Sequence, residues 1–459
     1  MSRRPIPASR RPRRLRNLLV LAACLLPLCV TGAPARVSGA TMLHMVYFSG
    51  PESDAMAQVI SYWNTNMAPK AGFQVQMDLF GRTGFYEKEN TLLAAHSSSE
   101  DVIFTASYEV GSMYRYLDPI GRGASGPGGK VDPSLFIPST VDSLRVNGKL
   151  YAIPMDVSNH FLYYRGDLIA KLLRDPASRQ LYHQLAQQYL HLSLQPKAPA
   201  AWTWDDFEAV ALFYTRKYNP SSPTLFGTSL QLKNLIYNVM VWNDVLWSYG
   251  GAWNKGTTAT LDTAAARTAL SVYVDLYKLG CTPTASTDWE YPETNAAFET
   301  GRVAEVLQWS AAYHELTDPA KDPQFAANVG IAPVPGPVHR THVHALAVGL
   351  NSASQNKAQA VAWLNFLGTA QAMRIYAQAG GIPSVSSVLA SQTRAHPEYA
   401  EIARDVKNYG FSEPASPGES AILNALATDL SAAWAGQTGV DQALRTANSD
   451  VNRILRQGS

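Results

Sequence analysis

The sequence predicts an α/β protein of two lobes, each a mostly parallel sheet flanked by helices, on three observations. Short strand-like segments alternate with amphipathic helical segments from the first strand onward. Behind an N-terminal leader, roughly 420 residues remain, more than one hydrophobic core usually supports. Of three cysteines only Cys281 lies outside the leader, so no internal disulfide is available and both cores must close by packing.

The leader comes first. Arg3, Arg4, Arg10, Arg11, Arg13, Arg14 and Arg16 precede an apolar run from Leu18 to Val30, and residues 1–40 contain no acid. A basic start followed by a short apolar run reads as a secretory signal, too short to span a bilayer. Ser38 and Ala40 suit cleavage before Thr41, and Ala33 and Ala35 suit cleavage before Arg36. Leu21-Ala22-Ala23-Cys24 offers a different reading, a lipid-anchored Cys24, although the chain stays apolar after it. Either way the folded chain is expected outside the cytoplasm, periplasmic or extracellular. Residues 1–40 hold 8 of the 38 Lys and Arg, leaving 30 against 36 Asp and Glu. The remainder is mildly acidic, which argues against a nucleic-acid footprint.

Leu43 to Phe48 reads as a buried strand. Ser49-Gly50-Pro51-Glu52 turns from it into a helix whose Met56, Val59, Ile60 and Trp63 recur on one face. Phe73 to Phe80 alternates as a second strand and Asp101 to Phe104 is a third. In such a β-α-β-α-β order, ligands sit at the carboxyl ends of the strands, so the loops at Ser49–Glu52 and Thr105–Glu109 are the places to look. Thr203 caps a helix with Asp206 at its third position. Leu235 to Tyr249 and Ala264 to Leu279 read as helices stopped by glycine. A strand ends at Gln308-Trp309-Ser310, and another, Val329 to Ala332, runs into the rigid Pro333-Val334-Pro335-Gly336.

The stretch Asn147-Gly148-Lys149-Leu150-Tyr151-Ala152-Ile153-Pro154-Met155-Asp156, followed by Phe161-Leu162-Tyr163-Tyr164-Arg165-Gly166-Asp167, resembles the hinge crossing of extracellular solute-binding proteins of ABC importers, in the branch that binds sugars. The same succession continues through Thr203-Trp204, Ala297 to Ala304, Pro335-Gly336, Ala379 to Ser384 and an amphipathic tail from Ala421 to Leu455. The resemblance covers nearly the whole chain beyond the leader. It implies the two-lobe fold of the maltodextrin type, with three crossings and a ligand cleft between the lobes. One lobe would hold residues 41–153 and 334–378, the other 154–333 and 379–459. It further implies a monomer that carries a sugar or oligosaccharide to a membrane permease driven by a cytoplasmic ATPase. Two departures stand out: an insertion from Asp175 to Pro199, with Arg179 to Leu192 helical, and Thr341-His342-Val343-His344 where sugar binders usually show glycine.

A pyranose has apolar C–H faces and a hydroxyl rim, so its site needs aromatic planes and short polar partners. Trp309 matches the family's stacking tryptophan, with Ser310 beside it. Trp242 and Trp247 lie five positions apart on one helix, so one can stack on ligand while the other packs. The polar candidates are Ser49 and Glu52, Arg82, Tyr108 and Glu109, and Asp156 and Ser158 at the hinge. Gly380 and Gly381 allow close backbone approach.

Other constellations read as structure. His339, His342 and His344 could supply zinc ligands, but no cysteine or carboxylate completes the set, and no metal or cofactor is expected. Tyr163-Tyr164 resembles the paired tyrosines of ferric-ion binders but sits in a strand that sugar binders also carry. Asp205-Asp206 occupies a helix first turn, where acids favour the dipole. Gly-x-Ser-x-Gly, His-Glu-x-x-His and a phosphate loop are all missing. The expected function is therefore a carrier, not an enzyme. The alternatives are the same fold for a glycerol-phosphate ester, a secreted carbohydrate-active enzyme, or a sensor subunit that presents its ligand to a membrane receptor.

Overall fold

Seven strands of four or more residues carry the described part of the chain: β1 (Thr41–Phe48), β2 (Phe73–Phe80), β3 (Val102–Ala106), β4 (Ala152–Arg165), β5 (Glu305–Trp309), β6 (Val329–Ala332) and β7 (Thr341–Asn351). This computed structural model describes residues 41–82, 84–120, 131–413 and 418–457. The leader, with Cys24, lies outside them. No helix among the described residues is long and apolar enough to cross a membrane.

The strands form one sheet in the order β5-β4-β7-β3-β1-β2. β1 pairs in parallel with β2, from Thr41 opposite Phe73 to Phe48 opposite Phe80, and with β3 at Met45 and Val102. The helix Pro51–Tyr62 connects β1 to β2 and starts with proline, whose missing N–H costs nothing at a first turn. β4 and β7 run through the middle with almost every residue buried, as central strands covered on both faces should.

The two-lobe α/β architecture stands, with one refinement. Parallel pairing is confined to β1, β2 and β3, a bridge from Thr228 to Glu305, and the short edge Gly410–Phe411 against β7. The pairs β3–β7, β7–β4, β4–β5 and β4–β6 are antiparallel. The cause is the length of β4. Its first half, Ala152 to Asn159, lies beside β7, and its second half, from His160, lies between β5 and β6. A single strand thus runs from the β7 side of the sheet to the side of β5 and β6.

Pro154 sits inside this strand. The register with β7 slips at Leu346/Ala347, where Asp156 and Pro154 face successive residues and Met155 is extra. That bulge is how a central strand accommodates a residue without an N–H. Ser384 fills the gap, its hydroxyl donating to Pro154 O and its amide to Met155 O at 3.3 Å.

The helices largely follow the sequence pattern. Trp204–Tyr214 is capped as expected: Asp206 Oδ2 accepts from the Thr203 amide and hydroxyl, each at 2.8 Å. Ala264–Leu279 ends at Gly280 in the left-handed region, φ 72°. The insertion forms a helix at Pro176–Leu185, earlier than its apolar pattern suggests, because Asp175 caps it by accepting from the Ser178 amide at 2.9 Å. It packs on the Trp204–Tyr214 helix, with Tyr182 against Phe213. The tail helices Glu419–Trp434 and Val440–Gln457 pack on each other and on Ala264–Leu279.

Candidate functional site

The carboxyl ends of β1, β2 and β3 deliver the first wall of a cavity. β1 ends at Phe48, and Pro51 and Glu52 follow in the first turn of the next helix. The Glu52 carboxylate folds back over Gly50, its Oε2 only 2.8 Å from where a side chain there would begin. Past the end of β2, the Arg82 guanidinium lies over Phe48 at 4.9 Å and over Tyr237 at 5.1 Å. Past β3 comes Tyr108, its hydroxyl 3.1 Å from that of Tyr86. The opposite wall is Tyr237 from the helix Ile236–Ser248, Tyr291 from the helix Tyr291–Glu299, Trp309 from the end of β5, and Ala311. Ser158 of β4 and His344 and Leu346 of β7 close the base.

This enclosure holds a cavity of about 20 Å³, room for one water. Small-molecule sites are typically about 300–1,000 Å³, so the walls must part before a solute enters. Two polar atoms of the lining residues, Glu52 Oε2 and Arg82 Nε, are buried without hydrogen-bond partners. Burial opposes the charge on Arg82, but Glu52 and the surrounding tyrosines outweigh it and its pKa rises.

Trp309 is 5% exposed and packed among imidazoles, with His160 at 4.0 Å edge-on, His344 at 4.4 Å and His342 at 5.5 Å. A buried polar chain lies beneath it. His160 Nδ1 is 2.7 Å from Asp244 Oδ2, Asp244 Oδ1 accepts the His342 amide at 2.6 Å, and His342 Nε2 is 2.7 Å from Glu413 Oε2. Burial pushes the His160 pKa down and the Asp244 pKa up, so both favour their neutral forms.

Of the sequence candidates, the structure brings Glu52, Arg82, Tyr108, Ser158 and Trp309 together at the cavity. Ser310 stands one step behind, its hydroxyl 3.2 Å from that of Ser158 and accepting the Asn159 amide. Ser49 is exposed and donates its hydroxyl to Phe80 O.

Others have structural partners instead. Asp156 Oδ2 accepts from Tyr376 Oη at 3.0 Å and the Ile382 amide at 2.8 Å, fastening the segment Gly380–Ser384 to β4. Burial, then Glu52, raises its pKa to about 8. Glu109 accepts from Ser112 and Ser420, and burial raises it to about 7. Trp242 is fully buried and donates to Ala269 O, while Trp247 stacks on His342 at 5.9 Å, away from the cavity. The Gly381 backbone is approached closely, but by the Tyr376 ring: a Cβ there would lie 2.1 Å from it. Gly380 is glycine for another reason, its φ of 94°.

The three histidines of the 339–344 segment do not converge. His339 Nδ1 sits 2.8 Å from Val334 O and His342 is taken by Glu413, leaving His344 on the cavity wall. Tyr163 is buried with its hydroxyl donating to Trp309 O at 3.0 Å. No residue of the 175–199 insertion lines the cavity. Sequence reasoning missed Tyr237 and Tyr291. The proline after Tyr291 marks a helix start and was the available signal; nothing separates Tyr237 from the apolar residues of its helix.

Comparison with known proteins identifies the family and the fold. Residues 68–403 match the family described as bacterial extracellular solute-binding protein. A probable amino-acid ABC transporter periplasmic-binding protein of Sinorhizobium fredii is 24% identical over 203 residues, 44% of this chain and 44% of that one. The chain thus spans less than half the length of that relative. A putative binding protein of Brucella abortus is 22% identical over 329 residues, 70% of this chain and 72% of its own. Among solved structures, maltose-bound MalE3 of T. maritima superposes with a TM-score of 0.76 at 21% identity, covering 90% of this chain and 100% of that one. A solute-binding protein of Agrobacterium vitis with bound D-mannitol gives 0.74 at 22% identity, covering 91% and 99%.

Proposed function

The chain belongs to the bacterial extracellular solute-binding proteins, and from that premise we propose that it is the sugar-binding subunit of an ABC importer. The observation that carries the reading is the lining of the cavity: Trp309, Tyr108, Tyr237, Tyr291 and Phe48 offer aromatic surface, while Glu52, Arg82 and Ser158 offer a charged and hydroxyl rim. Aromatic planes suit the C–H faces of a pyranose, and the unpaired Glu52 and Arg82 atoms suit its hydroxyls. The bound sugars of the MalE3 and A. vitis proteins point the same way.

In this reading residues 41–153 with 334–378 form one lobe and 154–333 with 379–459 the other. The lobes part about β4, β7 and the segment after Gln378, the ligand binds, and closure buries it. Only contacts made better in the closed form drive that shift. Asp156 then acts as a hinge fastener rather than a ligand contact. The ligand leaves unchanged, handed to a membrane permease with its cytoplasmic ATPase, and the carrier works as a monomer outside the cytoplasm. A phosphate ester fits less well, because among the described lining residues Arg82 is the only Arg or Lys.

The test is a thermal-shift screen of the untagged, exported protein against mono-, di- and oligosaccharides, glycerol phosphates and amino acids, followed by mass analysis of the recovered ligand. Saturable stabilisation by a sugar recovered intact is the expected result. Stabilisation only by phosphate esters or amino acids, or a sugar recovered cleaved, overturns the proposal.

A further inference from the structure

A second cluster lies apart from the cavity. His314 is in the short helix Tyr313–Leu316 that follows Trp309 by one turn, and His396 and Glu398 open the helix Glu398–Tyr409. Three ligand atoms from these residues converge: His314 Nε2 is 3.1 Å from His396 Nδ1 and 3.1 Å from Glu398 Oε1, and His396 Nδ1 is 3.4 Å from the same oxygen. Ligands about 2.0–2.1 Å from a tetrahedral Zn²⁺ stand about 3.3–3.4 Å from one another. The triangle is one face of such a tetrahedron to within about 0.3 Å.

Glu398, whose side chain is 2% exposed, meets both imidazoles at Oε1 as an ion-pair contact, while Oε2 has no hydrogen-bond partner. A buried carboxylate needs a cation beside it, and an ion held by all three groups at once supplies it. The site is also held in place. The His396 ring lies flat on Tyr399 at 4.6 Å, and Tyr399 Oη donates to Gly381 O at 2.6 Å. His314, 43% exposed, leaves one side of the triangle open to solvent.

We propose that His314, His396 and Glu398 form a binding site for a divalent transition-metal ion, zinc by ligand type, which ties the segment after Trp309 to the helix that backs Gly380–Ser384. This site is independent of the identity of the solute and of transport itself.

The experiment is equilibrium dialysis of the untagged, exported protein with Zn²⁺ alone, with metal content measured after exchange into metal-free buffer, and Co²⁺ substitution read by visible absorption. Wild type should retain one zinc per chain and give the intense Co²⁺ bands of a tetrahedral site. H314A, H396A and E398Q should each weaken zinc binding at least tenfold, with circular dichroism unchanged. E398Q keeps the side-chain volume, so folding and ligation are separated. No retained zinc in wild type, or equal retention in the triple variant, overturns the proposal.

Discussion

Gly380 and Gly381 are neighbours with different reasons to be glycine, and substituting each in turn tests how the segment Gly380–Ser384 is held. At Gly381 an added methyl would lie 2.1 Å from Tyr376 Cε1 and 2.5 Å from Cδ1 and Cζ. Tyr376 is fully buried, so its ring must shift by more than about 1 Å, an overpacking cost of about 1–3 kcal/mol. The shift also breaks the hydroxyl's bond to Asp156 Oδ2 and leaves a buried carboxyl with one donor, about 1–3 kcal/mol more. Gly381→Ala should therefore cost about 2–6 kcal/mol. At Gly380 the space is open but φ is 94°, so alanine there should cost only about 1–2 kcal/mol of backbone strain. Urea unfolding followed by tryptophan fluorescence measures both. In a Tyr376→Ala background the Gly381 penalty should shrink below about 1 kcal/mol, since its clash partner is gone. Equal costs at the two glycines, or a Gly381 penalty that survives removal of the ring, would refute the reasoning.

Trp309→Ala should raise the dissociation constant for the sugar identified in the screen by about 30- to 1,000-fold, equivalent to about 2–4 kcal/mol, while Trp309→Phe retains most binding; calorimetric titration decides. Arg82→Met should lower urea stability by about 1–2 kcal/mol, because the guanidinium's contacts with the Phe48 and Tyr237 rings and with Glu52 are lost, and should weaken the sugar at least tenfold. The pH dependence follows from Asp156, raised to about 8, and Glu109, raised to about 7. Their unfolded values are about 3.9 and 4.3, so the folded chain holds protons the unfolded chain has shed. Their contribution to stability should be fully present near pH 4 and be lost as pH rises through 7 and 8. Asp156→Asn should flatten that slope by at most about 1.4 kcal/mol per pH unit, read from urea midpoints across the range.

What the sequence made legible was whatever local chemistry decides. The β1, β2 and Ala264–Leu279 boundaries follow from periodicity and glycine, and the Thr203 cap from three-residue spacing. Arg82 and Tyr108 were nominated by the rule that ligands collect at strand ends, and Trp309 by its match to the stacking tryptophan of the family the sequence resembles. The rest depends on long-range pairing. Nothing local shows that Pro154 belongs inside a fourteen-residue strand, because the bulge that admits it is defined by Leu346 and Ala347 almost two hundred residues away. Asp156 looked like a ligand contact because its fasteners, Tyr376 and Ile382, are equally remote. His344, noted as a departure from glycine and weighed as a zinc ligand, turned out to be cavity wall, and the His314–His396–Glu398 triangle is invisible until two helices meet.

The position of β7 in the sheet has a consequence for how the chain comes into being. It lies between β3 and β4, yet it is the last of the seven strands to be synthesised. Until residue 351 has been delivered, β3 and β4 present open edges and the centre of the sheet has no occupant. The nascent chain can form helices and the β1–β2, β1–β3, β4–β5 and β4–β6 pairs, but these two groups of strands lack the neighbour that joins them. Such edges invite aggregation, so a chain built this way depends on being kept apart from its neighbours until the middle strand arrives. Delayed locking also leaves the polypeptide threadable, the condition that passage through a narrow secretion channel imposes.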